Sequence, residues 1–448
     1  MCFFKLVEIM EKVFKEKNYK HIDKKIKIDD VKNKVKNPNF VSKHAFYPFL
    51  SYTITMHKYV RRDKNTYERK EKSRPIKYAS HIDRYIYQWY SHLLNDEYNS
   101  CAVEKDISNS VIAYRTCLKG KTNIEFSRKA FDYIKKTKSC YILVSDLSNF
   151  FDKIDHKKLK NNLSIVLNQN PLPDDYYKIY KSMTKYSYIE KADIIAYLLD
   201  NNIESEKSLK KCNSLLDKTE WKIVKKKLKN KIIKNDKNYG IPQGSPLSGI
   251  FANIYMIDFD KYIKNYVDNK HGLYMRYSDD IIIIIPSNEI ESISEIWNII
   301  QNISKEYNTM ELNVEKTSGY LYDGESIKSL HEDIYNMRNG NNFVSYLGFS
   351  FDGKNIKFRD KTLTKFYYKL YRKIDEMIAR ENLRIEKGKK KHTKIDKHQI
   401  IKNAINKNNK TRKFIDYVDR TIKVYPNEKY IVEFRNNVKS KIFDRFNK

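Results

Sequence analysis

Between residues 273 and 285 the chain reads Leu-Tyr-Met-Arg-Tyr-Ser-Asp-Asp-Ile-Ile-Ile-Ile-Ile, two apolar runs separated by two adjacent acids. Runs of this kind predict two short strands, and Ser278-Asp279 supplies the turn chemistry that joins them as a hairpin. Two carboxylates at a hairpin tip form half of a divalent-metal site. Asp is also a common turn residue, and the chain contains its own controls. Asp29-Asp30 and Asp174-Asp175 lack flanking strands and read as ordinary surface.

Hydrophobic periodicity organises the rest. Residues 1 to about 43 follow a helical, Lys-rich pattern with Phe3, Leu6, Ile9 and Met10 on one face. An extended basic stretch at 72–88 contains Pro75, which discourages helix until a start near Ser80 or His81. Arg74, Lys77 and Arg84 in it are candidates to hold phosphates, against the alternative of a solvated charged face. Residues 141–146, Tyr-Ile-Leu-Val-Ser-Asp, form a buried strand that runs into an acid. Because burying an unpaired carboxylate is costly, Asp146 wants a cation. Residues 168–237 read as a long, mostly helical, Lys-laden insertion with few apolar anchors. At 239–256 the texture changes to a Gly-rich loop feeding an apolar helix, with Ser245 as N-cap and Pro246 as first helical residue. Gln243 in that loop has no packing reason to be there. Beyond the 273–285 hairpin come a helix at 290–307 and a strand at 310–318 with Lys316 near its end. A strand follows at 343–351, then an Asp352-Gly353 turn into 355–358. From about 361 the chain is helical and basic.

Composition adds a partner class. The chain has 448 residues, enough for two or three domains, and carries 88 Lys+Arg against 56 Asp+Glu, a formal charge of +32. AT-rich codon bias raises Lys but should raise Asp and Glu as well, so the excess points to a phosphate-rich partner. The five cysteines, Cys2, Cys101, Cys117, Cys140 and Cys212, show no Cys-x-x-Cys spacing, which fits a reduced, intracellular protein without structural zinc. The first ten residues are broken by charge and no window approaches the ~20 apolar residues of a membrane span. The expectation is a cytoplasmic protein with no membrane association.

Taken in order, the pieces are an Arg-Pro-Ile segment at 74–76, a strand-borne Asp146 followed by Phe150-Phe151, Pro-Gln-Gly-Ser-Pro at 242–246, Tyr-Ser-Asp-Asp at 277–280, Leu-Asn-x-x-Lys-Thr at 312–317 and Tyr-Leu-Gly-Phe at 346–349. This series resembles the bacterial reverse transcriptase family. The resemblance spans roughly 73–352 and implies an α+β, right-hand polymerase fold, largely helical outside an antiparallel palm sheet. Its implied domains are an N-terminal helical extension at 1–50, fingers at 51–140, a palm at 141–355 with a helical insertion at about 168–237, and a basic helical thumb at 356–448. It also implies two Mg²⁺ ions, replaceable by Mn²⁺, with Asp146 and Asp279 as principal ligands, Asp280 assisting and the Leu147 carbonyl adding an oxygen. Carboxylates on neighbouring strands suit such hard cations. By the same resemblance Phe151 packs under the incoming sugar and leaves no room for a 2′-hydroxyl, whereas Phe150 suits the core. Gln243 and Gly244 line the nucleotide pocket, Arg74 grips the triphosphate with Lys77 and Arg84 as helpers, Lys316 protonates the leaving pyrophosphate, and Tyr346, Leu347, Gly348 and Phe349 form the primer grip.

The implied partners are an RNA template, dedicated non-coding RNA included, deoxynucleotides and a DNA product, with a neighbouring-gene protein and self-association as further options. The chain lacks the Val-Thr-Gly and Asn-Ala-x-x-His marks of retron enzymes and the zinc-binding or His-Asn-His tail of many intron-encoded ones. The pattern is closer to reverse transcriptases of phage defence, including abortive-infection types. No acid constellation for RNase H stands out near the C-terminus. Alternatives are a template-independent or protein-primed DNA polymerase, a retron-type enzyme, an RNA-dependent RNA polymerase, which Phe151 opposes, and a non-catalytic nucleic-acid scaffold, which the three acids oppose.

Overall fold

A computed structural model describes residues 13–61, 66–307, 309–330, 342–388 and 410–446. Phe3, Leu6, Ile9 and Met10 lie outside the described residues. Residues 14–27 are irregular rather than helical, and the first described helices are Ile28–Lys36 and Pro38–Lys43.

Three sheets follow. Strands β1 (Phe49–Arg61) and β2 (Tyr67–Tyr78) form a long antiparallel ribbon, joined at its base by β4 (Ser187–Glu190) and β5 (Ile233–Lys234) in the order β2-β1-β4-β5. The central sheet runs β10-β9-β3-β7-β6, with β8 (Glu311–Leu312) also paired to β3. Its members are β3 (Cys140–Ser148), β6 (Leu273–Tyr277), β7 (Asp280–Pro286), β9 (Ser318–Tyr322) and β10 (Ile327–Ser329), all antiparallel. The third sheet is β11 (Val344–Tyr346), β12 (Phe349–Phe351) and β13 (Ile356–Phe358).

The unbroken run of isoleucines in β7 follows from burial on both faces of the central sheet. Ile281, Ile283 and Ile285 join the core formed with helices Ile257–Asn269 and Ile293–Lys305. Ile282 and Ile284 join a second core that includes helix Asn123–Thr137, the third sheet and helices Asp360–Glu386, Lys410–Val424 and Lys429–Phe446. No helix among the described residues is long and apolar enough to cross a membrane.

Several expectations change. Residues 168–237 are not poor in anchors. Helix Asp174–Thr184 belongs to the main core, where the buried Asp175, expected on the surface, accepts from Tyr90 Oη at 2.6 Å. Beyond it, Ile194, Leu198, Leu209, Leu215, Trp221 and Val224 build a satellite core with Leu50 and Ile22. These anchors are spread over three short helices and the connection that carries Leu215, so no single window shows them. The strand expected at 343–351 is two strands, because Leu347 (φ 45°) and Gly348 (φ 95°) form a tight turn with both residues left-handed. The strand expected at 310–318 contains a 3₁₀ turn, Val314–Lys316, folded back on the Asn313 carbonyl. The apolar helix after the Gly-rich loop begins at Ser248, not at Pro246, and is Ser248–Tyr255.

A charged pair absent from the sequence reading fixes the 273–285 hairpin. Arg276 and Asp260 are fully buried; Arg276 Nε and Nη2 donate to the two carboxylate oxygens at 2.7 and 2.6 Å. Tyr274 Oη donates to the same carboxylate at 2.6 Å, and Arg276 Nη1 donates to the Ser278 carbonyl inside the turn at 2.9 Å. The backbone of Arg276 is bonded to residues 110 and 112, which closes the open edge of β6. Arg276→Met leaves Asp260 charged and unpaired in the core and should cost roughly 3–5 kcal/mol. Arg276→Met with Asp260→Leu should recover most of that loss, as read by chemical denaturation of the three proteins.

Candidate active site

The register of β3 on β7 places Asp146 opposite Asp280, and Ser278-Asp279 is the turn between β6 and β7. Side chains alternate along a strand, so Asp146 shares a face with Ile142, and Asp280 shares that face with Ile282 and Ile284. Directly opposed residues on one face stand about 5 Å apart at Cβ. The turn is held from both sides. Ser278 has φ 62°, accepts Arg276 Nη1 at its carbonyl and Tyr114 Oη at its hydroxyl, the latter at 3.1 Å. The Leu147 amide donates to the Asp279 carbonyl at 3.2 Å, so the Leu147 carbonyl faces the same side, while the Asp146 carbonyl accepts from Asn313 at 2.7 Å.

The site is short of positive charge. Burial, then the charges of Asp279 and Asp146, push the Asp280 carboxyl up to about 6, with Arg359 and Lys316 pulling the other way. Lys316 Nζ donates to Asp146 Oδ1 at 2.5 Å. Arg359 is half-buried, its charge acts on Asp280, and its Nε has no hydrogen-bond partner among the described residues. No group of three or more His, Cys, Asp or Glu among the described residues is gathered closely enough to enclose a metal ion. One of the three acids, Asp146, is tied to Lys316. The donor set nonetheless fits a hard divalent cation: oxygen ligands only, on adjoining strands, with an excess of negative charge that raises the proton affinity of Asp280.

A second cluster lies across the Gly-rich loop. Gln243 Nε2 donates to Asp152 Oδ2 at 3.3 Å, and the Lys77 amide donates to the Gln243 carbonyl at 2.8 Å. Burial raises the Asp152 carboxyl, while Lys77, Lys237 and Arg74 oppose that rise. Gln243 therefore has a partner the sequence reading lacked, and Asp152, one residue after Phe151, is a site residue that reading missed. The Lys77 ammonium sits over the Tyr188 and Tyr186 rings, at 4.8 and 5.7 Å from their centroids. Gly244 has φ 119°, and a Cβ there would stand 2.6 Å from the Lys77 carbonyl oxygen. Phe150 and Phe151 lie on a 3₁₀ turn; Phe150 is buried in the core and Phe151 is half-buried, with the Phe151 carbonyl accepting from the Ile241 amide at 2.9 Å.

Three expected placements are corrected. Arg84 is buried beneath the N-terminal segment: its guanidinium donates to the Lys15 carbonyl and packs over the Tyr85 and Tyr19 rings. On helix His81–Glu104, capped by Ser80 and by Asp23 across the chain, Arg84 falls on the inward face. Tyr346 and Phe349 are core residues, 1% and 0% exposed, because residues flanking a two-residue turn pair on one face, here the buried one. Of the turn between them, Leu347 is also buried and Gly348 is half-buried. That turn is held by Asn123 Nδ2, which donates to the Leu347 carbonyl at 2.8 Å, and by the Arg359 amide, which donates to the Gly348 carbonyl at 3.1 Å.

An antiparallel sheet with acids converging at one hairpin, flanked by a ribbon-bearing subdomain on one side and a helical bundle on the other, is a right-hand polymerase of the α+β class. A family profile described as reverse transcriptase (RNA-dependent DNA polymerase) matches residues 62–351, and the chain belongs to that family. Among solved structures it is similar to apo telomerase from Candida tropicalis truncated from the C-terminal domain, at 13% identity and a TM-score of 0.42, covering 74% of this chain and 60% of that one. It is also similar to telomerase from Candida albicans in complex with the TWJ fragment of telomeric RNA, at 14% identity and a TM-score of 0.43, covering 93% of this chain and 65% of that one. The chain thus spans less than two thirds of either telomerase. No curated protein matches it.

Two outcomes follow from this geometry. Gly244→Ala sets a side chain against backbone at a left-handed position and should destabilise the loop by on the order of 1–3 kcal/mol, read as faster amide exchange at Lys77. In EDTA, Asp280→Asn should be more stable than the parent at pH 7.5. A carboxyl raised to about 6 is neutral at low pH and costs stability once ionised. The difference should therefore grow from pH 4 to a plateau above pH 6, at roughly 1–3 kcal/mol. Thermal melts across that range measure it.

Proposed function

We propose that this chain is an RNA-directed DNA polymerase that extends a primer with deoxynucleotides by two-metal nucleotidyl transfer. The observation that supports it most directly is the β3–β7 register, which sets Asp146 beside Asp280 with Asp279 in the adjoining turn. In this reading Asp146 and Asp279 are the principal ligands of Mg²⁺, Mn²⁺ being a substitute, with Asp280 and the Leu147 carbonyl completing the protein oxygens. When bound, such ions activate the primer hydroxyl and neutralise the triphosphate.

The chain's own groups do the rest. Arg74 and Lys77, with Asp152 as their shared counter-charge, hold the phosphates. The half-buried Phe151 ring shuts out a 2′-hydroxyl. Gln243, fixed by Asp152, and Gly244, which lets the backbone approach closely, line the nucleotide. Lys316, held at Asp146, delivers a proton to the departing pyrophosphate. The backbone of the Leu347-Gly348 turn meets the primer strand, and Tyr346 and Phe349 support it from the core.

Within the proposed right hand, residues 51–140 are fingers, 141–355 palm and 356–448 thumb, and the satellite core within 168–237 is an elaboration of the fingers sheet. The proposed setting is bacterial antiviral defence, supported by the motif pattern alone: Tyr-Ser-Asp-Asp, a long stretch ahead of Pro-Gln-Gly-Ser-Pro, and no retron marks.

Purified protein with Mg²⁺ and a primed RNA template should incorporate deoxynucleotides in preference to ribonucleotides. Asp279→Asn with Asp280→Asn should lower incorporation by about three orders of magnitude, the loss of several kcal/mol of transition-state stabilisation. Phe151→Ala should narrow the sugar preference by roughly tenfold or more. A preference for ribonucleotides, or incorporation that survives the double substitution, overturns the proposal.

A further inference from the structure

Between residues 218 and 237 the chain carries nine lysines against two acids. Helix Lys218–Lys227 turns Trp221 and Val224 into the satellite core and leaves its lysines exposed. Lys218, Lys222, Lys225 and Lys226 recur on one flank at i, i+4, i+7 and i+8, and the exposed Lys229 continues that flank just beyond the helix. At 1.5 Å rise per residue the repeat along this flank is about 6 Å. Lys231 pairs with Asp193 at 3.6 Å, whereas Lys222, Lys225, Lys226 and Lys229 pair with no acid among the described residues. Four unneutralised ammonium groups within a few turns repel one another, an arrangement that a polyanion relieves.

The run is connected to the cleft. From the helix the chain passes through β5 to Asn235, whose Nδ2 donates to the Tyr239 and Gly240 carbonyls at 3.1 and 3.2 Å. Lys237, two residues on, is among the cations that act on Asp152, beside Gln243. The surface therefore begins at the Gly-rich loop and leads outward along the fingers sheet. It lies apart from the Leu347-Gly348 turn and the C-terminal helices, which share the other core.

Resting on the polymerase reading, we infer that the flank of Lys222, Lys225, Lys226 and Lys229 holds the phosphates of the uncopied 5′ arm of a single-stranded RNA template before it enters the cleft. The product duplex is held on the opposite side, by the primer turn, so the strand available to this side is the one still to be read. Lysines contacting phosphates position a strand without reading its sequence.

The test compares two primed RNA templates, one with a 5′ overhang too short to leave the cleft and one with a long single-stranded 5′ arm. Binding is measured by fluorescence anisotropy across a salt series, and incorporation is measured on the short template. Lys222→Gln, Lys225→Gln, Lys226→Gln and Lys229→Gln together should weaken binding of the long-armed template about tenfold or more at low salt. The same variant should reduce the slope of log K against log salt by about 3, since each single-strand phosphate contact contributes ~0.7. Incorporation on the short template should be unchanged, and the matching four-Arg variant should retain the parent's slope. An unchanged slope with the long arm makes the lysines a solvated face and overturns the inference. A loss equal on both templates, or one that follows duplex length rather than 5′-arm length, also overturns it. Failure of the parent protein to extend any primer would overturn the polymerase reading, while the salt slopes still decide the surface.

Discussion

Like charges crowded at the end of a buried sheet are the constraint on which this fold turns. Pairing β3 to β7 is favoured by the apolar side chains of both strands, each face of which enters a core. The same register sets Asp146 against Asp280 and brings Asp279 alongside. Hydrophobic burial thus forces together groups that repel, and the raised proton affinity of Asp280 records the cost. Lys316 and Arg359 reduce it without removing it. A cation placed beside these acids would relieve that repulsion and lower the Asp280 carboxyl again.

A hairpin under such repulsion must be fixed by something other than its own turn. Ser278 occupies a left-handed conformation that glycine would take at lower cost. The compensation comes from Arg276, whose guanidinium reaches from the buried Asp260 to the Ser278 carbonyl, and from Tyr114 on the outer side. Buried ion pairs are poor sources of net stability, but a bidentate pair tolerates little displacement. Its consequence here is a rigid height for the turn relative to the helix that carries Asp260. The second tight turn, at Leu347 and Gly348, is fixed in the same manner by Asn123 and the Arg359 backbone. Arg359 therefore acts at both ends of the site, its amide holding the turn and its charge acting on Asp280.

What could be read from the chain alone was whatever depends on short-range pattern. The apolar runs around Asp279-Asp280 and before Asp146 gave strands in the right places, and Ser80 marked the helix start. The order of six short motifs pointed to the reverse transcriptase family, which the profile over 62–351 shows. What could not be read was which face of an element turns inward once the chain is folded. Arg84 sits in a basic stretch that resembles a phosphate clamp, yet its helix rotates it beneath residues 15–19. Tyr346 and Phe349 flank a turn invisible to strand periodicity, because Leu at a positive φ breaks the usual rule for turn residues. Asp152 and Asp260 are acids among many until Gln243 and Arg276 are placed beside them. The one basic residue in 273–285, Arg276, was a signal in plain sight: a cation amid a strand with apolar neighbours requires a buried partner.

Charge is distributed in this protein in two modes that do different work. Near the sheet, three half-buried acids stand on adjoining strands, where partial burial strengthens their mutual repulsion. Between residues 218 and 237, lysines are many, exposed and separated, so each contributes little and the sum is screened by salt. The first arrangement acts on a small, highly charged ligand at a fixed point; the second acts on a long polyanion whose position along its own length does not matter. Lys237 of the lysine run and the buried Lys77 of β2 both act on Asp152, the acid that also holds Gln243 of the loop. A strand drawn along the lysines would reach the loop near Gly244, where the backbone stands so close to Lys77 that a Cβ has no room. The strong excess of basic residues and the three repelling acids are thus complementary in sign: the first attracts polyanions at long range, the second cations at short range.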